Sequence, residues 1–334
     1  MANSSKKNPS ISIIIPTKDR NLILINHLKY LSEALRDVSA EIIIVNDSKK
    51  NLEELPKIDD LAIVKNPKNG VASARNYGAH LARSPLLLFL DDDMIIHNSN
   101  IKAIFLFHAK NKNCFLNLNW QYPKEINEKL NQSTFGRYLI KFGFNSLKGW
   151  NNGNKRWSDE EVFATHGITS QNLSVPKNLF FEIGGYNECF PYAGFEDFEL
   201  SQRIKQANYS IFIDPLEMTY HDEKDRLRLT NWLARKYRGG ISRRVAVKLG
   251  HNEYKLSAGI IKKTLLILFV PFLDQIAQFT TFVFRSTNFD KVSFFVINLL
   301  LALANYGGYF SFEADKILQK LDENQTHLHR LRRQ

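Results

Sequence analysis

Three consecutive carboxylates, Asp91, Asp92 and Asp93, close the apolar run Leu86–Leu90. A buried strand would carry that run into a core, so the acids emerge at its C-terminal end, where open α/β sheets place their ligands. Adjacent carboxylates repel one another. A hard divalent cation with phosphate oxygens in its remaining positions is the chemistry that neutralises them most directly, and a solvated acidic turn is the plain alternative. A second acidic set, Glu196-Asp197-Phe-Glu199, follows Gly194. Acids favour the first turn of any helix, but Gly194 and the earlier Gly184-Gly185 point to a loop that presents these acids to a cleft. His221 follows the strand-like Ile211-Phe-Ile213, where a lone histidine is as readily a core or surface residue as a ligand. Cys114 and Cys189 offer neither a disulfide framework nor metal-ligand spacing.

The elements that must position these groups alternate along the first ninety residues. Residues 11–15 read as a strand stopped by Pro16, residues 22–38 as a helix, and residues 41–45 as a strand stopped by Asn46-Asp47-Ser48. A short strand at 61–64, a helix at 71–83 opened by Asn69-Gly70, and the strand Leu86–Leu90 follow. This βαβ order predicts an α/β fold with a largely parallel sheet and helices on both faces. Thr17, Asp19 and Arg20, then Asp47, then the acidic triplet fall on one sheet edge, and an Asp after a second strand can accept hydrogen bonds from a base or ribose. Because Pro-Thr-Lys-Asp-Arg stands where a Gly-x-Gly-x-x-Gly loop would be, an ordinary NAD site is excluded. Residues 111–164 lack clear periodicity and carry Trp120, Trp150 and Trp157, whose faces suit sugar rings or core packing equally.

The 334 residues carry a net charge of +11, unevenly distributed. Between residues 222 and 263 stand twelve Lys or Arg against four acids. No base-reading motif accompanies them, which excludes nucleic acid as the expected partner. An anionic membrane surface fits better, because two apolar stretches follow, at 264–284 and 292–312. In the first, Asp274, Gln278 and Thr281 recur on one helical face, with Leu265, Leu268, Phe269, Phe272, Ile276 and Phe279 opposite, the pattern of a helix lying in the interface. A helical hairpin with its basic flanks cytoplasmic and a soluble helical subdomain are the alternatives. The polar N-terminus has no secretory h-region, which leads us to expect a tail at 1–9, a catalytic domain at 10–225 and a basic, apolar helical region at 226–334. The expected location is the cytoplasmic face of the inner (plasma) membrane, with the C-terminal helices peripheral or anchoring.

Six motifs in order resemble those of family 2 glycosyltransferases. They are Ser12-Ile-Ile-Ile-Pro-Thr-Lys-Asp-Arg20, Ile43-Ile-Val-Asn-Asp-Ser48, Asn69-Gly-Val-Ala-Ser-Ala-Arg-Asn-Tyr-Gly78, Phe89-Leu-Asp-Asp-Asp93, Gly184-Gly-Tyr-Asn-Glu188 and Gly194-Phe-Glu-Asp-Phe-Glu-Leu-Ser-Gln-Arg203, with His221 beyond them. The resemblance implies a GT-A nucleotide-diphospho-sugar transferase fold followed by a membrane-associating helical extension.

It also implies roles. Pro16, Thr17, Arg20, Asp47, Arg75, Asp91 and Asp92 would line the nucleotide-sugar site, with Asp47 on the uracil or ribose and Arg75 near the diphosphate. Asp91, Asp93 and His221 would serve a Mn2+ or Mg2+ ion, Asp93 most directly, with the register inside the triplet open. Asp197 would be the general base, with Glu196 beside it and Asn172 facing the acceptor. A single base with direct displacement inverts the anomeric centre. The implied activity is transfer from a nucleoside-diphosphate sugar, a UDP-sugar for preference, to a lipid-linked or cell-surface glycan acceptor. Two rivals stand beside it: a sugar-nucleotide pyrophosphorylase, which would need a Gly-rich triphosphate loop that this chain lacks, and a non-catalytic glycan- or membrane-binding protein.

Overall fold

The computed structural model describes residues 9–150, 157–224 and 227–331. The expected tail, apart from Pro9, lies outside the described residues, as do 151–156 in the tryptophan-bearing segment. In chain order the elements are β1 (Ile11–Thr17), α1 (Asn21–Ala34), β2 (Ala40–Asn46), β3 (Leu61–Lys65), α2 (Val71–Leu81), β4 (Leu86–Leu90), β5 (Met94–Ile95) and α3 (Asn98–Lys110). There follow β6 (Cys114–Gln121), α4 (Lys124–Leu130), α5 (Thr134–Lys141), α6 (Leu147–Trp150), β7 (Phe163–Thr165), β8 (Asn172–Pro176), α7 (Lys177–Glu182), α8 (Phe195–Gln206) and β9 (Ser210–His221). The last helices are α9 (Leu229–Lys248), α10 (Ile260–Phe269), α11 (Leu273–Val283), α12 (Asp290–Tyr309) and α13 (Phe312–Leu331). These form two compact units. One takes the chain to Pro123, then Gly143–Glu188 and Glu196–Asp222; the other takes Lys124–Phe142, Cys189–Phe195 and the chain from Glu223 onward.

The first unit is built on one sheet ordered β3-β2-β1-β4-β8-β6-β9-β5, with β7 added on β9. β3, β2, β1 and β4 pair in parallel. Beyond β4 the sheet is mixed: β8 runs antiparallel to β4 and β6, β6 and β9 are parallel, and β5 and β7 are antiparallel to β9. The unbroken apolar runs of β1, β2 and β4 are what strands covered on both faces require, and they are buried along their length apart from half-buried Ala40. Ile14, Val45, Leu87, Phe89, Leu173 and Phe180 make the centre of that core. The chain leaves β1 toward β2 and β3, then returns to β4 on the other side of β1. This reversal opens a crevice between the C-terminal ends of β1 and β4, the place where such sheets bind ligands.

At the opposite end of the sheet Glu41 is buried beside its strand partner Ser12. Its carboxylate accepts hydrogen bonds from Ser12 Oγ at 2.5 Å and from Arg83 N and Nε at 2.5 and 2.7 Å. Burial pushes the carboxyl up, yet these bonds outweigh it and leave the pKa below its usual value. The resulting stabilisation is present above the unfolded value of about 4.3 and is lost as pH falls through the lower folded value.

In the second unit α12 packs closely on α9. A Cβ added at Gly240 would stand 2.0 Å from Asn305 O, and one at Gly308 would stand 1.8 Å from Tyr237 O, so only glycine permits this approach. α5 belongs here although about 150 residues separate it from its partners: Arg137 Nε donates to both oxygens of Asp290 at 3.0 Å, and Tyr138 OH donates to Asn298 Oδ1 at 2.8 Å. Residues 264–283 are not one helix. Pro271, which has no N–H to donate, sits in a 3-10 turn between α10 and α11. The apolar face expected across 265–279 is thus divided between α10 and α11; its Leu265, Leu268, Phe269, Phe272 and Phe279 are exposed, and α11 buries Leu273, Ala277 and Thr280 instead.

Glu41→Gln should lower the unfolding free energy at neutral pH by about 1–3 kcal/mol. Urea denaturation checks this: the midpoint should fall with an unchanged slope, and the gap from wild type should close in acid. An unchanged neutral midpoint would contradict the assigned role of this carboxylate.

Candidate active site

The crevice between β1 and β4 is where the acidic triplet meets its counter-charges. Three successive turn residues point their side chains in different directions, and each carboxylate finds a different partner. Asp91 Oδ1 accepts from Arg75 Nη2 at 2.9 Å. Asp92 Oδ2 accepts from Thr17 Oγ1 at 2.6 Å, and its Oδ1 accepts from Arg20 Nη1. Asp93 Oδ2 lies 2.8 Å from Arg20 Nη2, and its Oδ1 lies 3.1 Å from His221 Nε2. Burial, and then the neighbouring Asp93, push the Asp92 carboxyl up to about 7 against the pull of Arg20 and Thr17.

The backbone explains how these groups converge. Thr17 ends β1 and Arg20 caps α1, so the loop at Lys18–Arg20 carries both to the crevice. Met94 pairs with His221 in the antiparallel β5–β9 register, and Asp222 N donates to Asp93 O at 2.8 Å, which sets the histidine beside the triplet. Trp120 packs its ring edge-on to His221 with centroids 5.2 Å apart. This tryptophan is therefore a core residue holding the imidazole, while Trp157 donates from Nε1 to Asp159 at 2.7 Å.

Asp47 occupies the neighbouring position after β2. Its Oδ2 accepts from Lys18 Nζ at 2.9 Å, and its Oδ1 accepts from Asn66 Nδ2 at 2.6 Å and from Gly70 N at 3.2 Å. Gly70 has φ +111, a conformation that L side chains rarely adopt, and it opens α2 with its N–H on this carboxylate. Pro16 is buried within β1, one residue before the loop.

Arg75 joins the triplet to the second acidic set. It is buried in α2 and donates from Nη1 to Glu196 Oε1 at 3.1 Å as well as to Asp91, with its guanidinium 5.4 Å from the centre of the Tyr186 ring. Burial opposes its charge, but Asp91, followed by Tyr186 and Glu196, keeps its pKa above the usual guanidinium value. Beside Glu196 in the first turn of α8, Asp197 accepts from Ser170 N through Oδ2 at 3.1 Å and from Ser170 Oγ through Oδ1. Ser170 Oγ is also 2.8 Å from Tyr186 OH. A serine hydroxyl has one proton, and an ionised carboxylate can only accept, so the Tyr186 phenol must donate to Ser170. Burial raises the Tyr186 pKa and keeps that phenol protonated. Burial likewise raises the Asp197 pKa above the ordinary carboxylate value, opposed by Arg75 and the Ser170 hydrogen bonds.

Two sequence expectations differ from this arrangement. Asn172 does not face an acceptor: it is fully buried in β8, donates to Leu118 O at 3.1 Å and Thr219 Oγ1 at 2.9 Å, and accepts from Asn117 Nδ2 at 3.1 Å. Its amide ties strands of the mixed half of the sheet together. Asp91, Asp93 and His221 are not brought into one cluster, because Asp91 turns to Arg75; among the described residues no group of three or more His, Cys, Asp or Glu is set to hold a cation. At the triplet the buried Asp93–His221 pair offers adjacent oxygen and nitrogen donors. That pair fits a Mg2+- or Mn2+-type ion, which takes one or two protein ligands and completes its shell with phosphate and water. Ser170, Tyr186 and Asn66 escaped the sequence reading as site residues, although Ser170 adjoins Asn172 and Tyr186 stands in the quoted Gly-Gly-Tyr-Asn motif.

The crevice thus lies at the switch point of a mixed α/β sheet and is lined by acids and arginines. The profile described as glycosyltransferase like family 2 matches residues 12–263, and the chain belongs to that family. Polypeptide N-acetylgalactosaminyltransferase 4 of Caenorhabditis elegans is 23% identical over 229 residues, covering 64% of this chain and 38% of the relative. Validoxylamine A glucosyltransferase of Streptomyces hygroscopicus subsp. jinggangensis is 25% identical over 229 residues, covering 59% and 51%. The chain thus spans about half or less of the length of these curated relatives. Among solved structures it is similar to GalNAc-T7 with UDP, GalNAc and Mn2+, with TM-score 0.49, 17% identity and coverage of 65% of this chain and 44% of that one. It is also similar to the mannosyltransferase PcManGT from Pyrobaculum calidifontis in complex with GDP-Man and Mn2+, with TM-score 0.48, 14% identity and coverage of 95% and 80%.

Arg75→Met should destabilise the protein by about 2–4 kcal/mol, because it leaves buried Glu196 and half-buried Asp91 without their common counter-charge. Chemical denaturation reads this directly. A loss below about 1 kcal/mol, the size of an exposed ion pair, would mean that Arg75 does not bind the two acidic sets together.

Proposed function

We propose that the protein is a membrane-associated, inverting glycosyltransferase that moves a sugar from a nucleoside diphosphate, a UDP-sugar for preference, to a lipid-linked or cell-surface glycan. The observation that carries this reading is the pair of separately held acidic sets, the Asp91-Asp92-Asp93 turn and Asp197, joined through Arg75 and Glu196. The first is suited to a diphosphate, the second to a proton.

The donor's nucleoside lies against Thr17 and Asp47 in this reading, with Asp47 accepting from base or ribose and its diphosphate at the end of β4. A divalent cation on Asp93 and His221 would offset the charge that gathers on the departing diphosphate. Asp197, fixed through both oxygens by Ser170, takes the proton from the acceptor hydroxyl. The acceptor oxygen bonds the anomeric carbon while the bond from that carbon to the diphosphate breaks, and its electron pair leaves with the diphosphate. One displacement with one base inverts the centre. Glu196, held by Arg75, lies next to the base and on the acceptor side.

The membrane part of the reading rests on the second unit. Thr264–Val283 and Thr287–Tyr309 are long and apolar enough to cross a bilayer by length and composition, with 24% and 44% of them buried within the protein. α12, however, packs on α9, which carries Arg235, Lys236, Arg238, Arg243, Arg244 and Lys248. Drawing α12 into hydrocarbon would take those charges along at roughly 2.5–3.5 kcal/mol each. Helices that lie on the cytoplasmic face of the plasma membrane, basic side toward headgroups, are the lower-energy arrangement.

The direct test is nucleoside-diphosphate release from a panel of UDP-, dTDP- and GDP-sugars with Mn2+, Mg2+ or EDTA, supplemented with membrane lipid extract as acceptor source. Turnover of one donor that EDTA abolishes is expected; silence across the panel with extract present would favour a binding protein on the same fold. Asp197→Asn should lower kcat by about 10²–10⁴ with donor affinity kept. Ser170→Ala should lower kcat by about tenfold. The raised Asp197 pKa puts the acid limb of the rate profile above the usual carboxylate value of about 3.9, and removing the Ser170 bond moves it further up. A limb that stays in place in Ser170→Ala would make that serine merely structural.

A further inference from the structure

Within the second unit, α5, α11 and the start of α9 enclose a cleft of about 530 Å³ whose lining includes Gln132, Leu229, Thr281, Gln278, Arg228 and Arg285. A hollow of about 620 Å³ adjoins it, shares Gln278, Thr281 and Arg285, and continues onto Phe279 and Phe282. Among the described residues no carboxylate lines either. Arg137, close by, is fully engaged by Asp290. Among the described residues Arg228 and Arg285 form no ion pair, and the Arg285 guanidinium rests 4.8 Å from the centre of the Phe282 ring. The cleft edge is a fixed one: Arg137 Nη2 donates to Arg285 O at 3.0 Å and Thr134 Oγ1 to Phe284 O at 2.7 Å.

We infer that this cleft binds the phosphate group of a membrane lipid, with the lipid chains against the apolar face that begins at its rim. Two guanidinium forks and neutral amide and hydroxyl groups, with no acid opposing them, suit a phosphate oxyanion. Phe279 and Phe282 on α11 are each 65% exposed, and Leu268 on α10, Phe272 in the 3-10 turn and Phe295 on α12 are also exposed. A free phosphate makes no use of such a face, whereas a phospholipid supplies both the anion and the chains in the order the cleft and face present them. The inference rests on the reading of the second unit as membrane-facing and not on the transferase chemistry.

The test is flotation of the full chain with phosphatidylcholine vesicles, pure or carrying about one third phosphatidylglycerol. Wild type should float with the anionic vesicles, and Arg228→Gln/Arg285→Gln should weaken that binding by about thirtyfold, toward the level on pure phosphatidylcholine. Phe279→Ser/Phe282→Ser should weaken binding to both. Single variants Arg228→Gln and Arg285→Gln, each losing part of the affinity, keep the test decisive where a double variant folds poorly. Wild-type binding by the arginine variants would overturn the proposal. Displacement by inorganic phosphate, with the phenylalanine variant unaffected, would also overturn it by identifying a soluble anion as the ligand. Donor turnover with the lipid extract is read in parallel: its absence in wild type would count against the transferase reading and leave the lipid result standing.

Discussion

Three adjacent carboxylates at the end of a buried strand must each be compensated, and that requirement organises the first unit. One cation could not serve them all, because successive side chains of the turn diverge. Arg75 answers Asp91, Thr17 and Arg20 answer Asp92, and Arg20 and His221 answer Asp93. The compensating groups come from three parts of the chain, which is why α1, α2 and β9 must be in place before the turn is stable. An unpaired carboxylate at this depth would cost several kcal/mol, more than most single packing contacts supply.

The same network gives the site its order. Arg75 bridges Asp91 and Glu196, so in the proposed reading the diphosphate side and the proton-accepting side are held in one register. Asp197 is fixed separately, by a Tyr186–Ser170 chain that leaves its ionised form bonded through both oxygens. In the proposed reading that rigidity serves proton transfer, which depends on geometry first and pKa second.

Much of this was legible in the sequence, and the reasons for the rest are physical. The alternation through Leu90 gave β3 and α2 as well as β1, β2 and β4, the last three because strands buried on both faces read as unbroken apolar runs. The acidic triplet, Arg20 and Asp47 follow strands that end on one sheet edge, and Arg75 came from the family resemblance. Ser170 did not, since its meaning depends on Asp197, 27 residues away, and on Tyr186, with no local pattern linking them. Asn172 was placed on the acceptor side by the family resemblance, yet a polar residue in a buried strand is as well suited to pairing strands as to touching a ligand. The placement of α5 in the C-terminal unit was unreadable for the same reason: Arg137 and Tyr138 find Asp290 and Asn298 only in three dimensions. In α10 and α11 hydropathy set the extent of the segment, but Pro271 decided where the face breaks.

In the proposed reading the triplet is divided: a cation would be held by Asp93 and His221, while Asp92 is bound to Thr17 and Arg20. Mn2+ titration in the presence of UDP, comparing wild type with Asp92→Asn and Asp93→Asn, tests it most directly. The account predicts that Asp93→Asn abolishes Mn2+ binding and Asp92→Asn leaves it. Equal loss in both, or loss in Asp92→Asn alone, would contradict the division of roles.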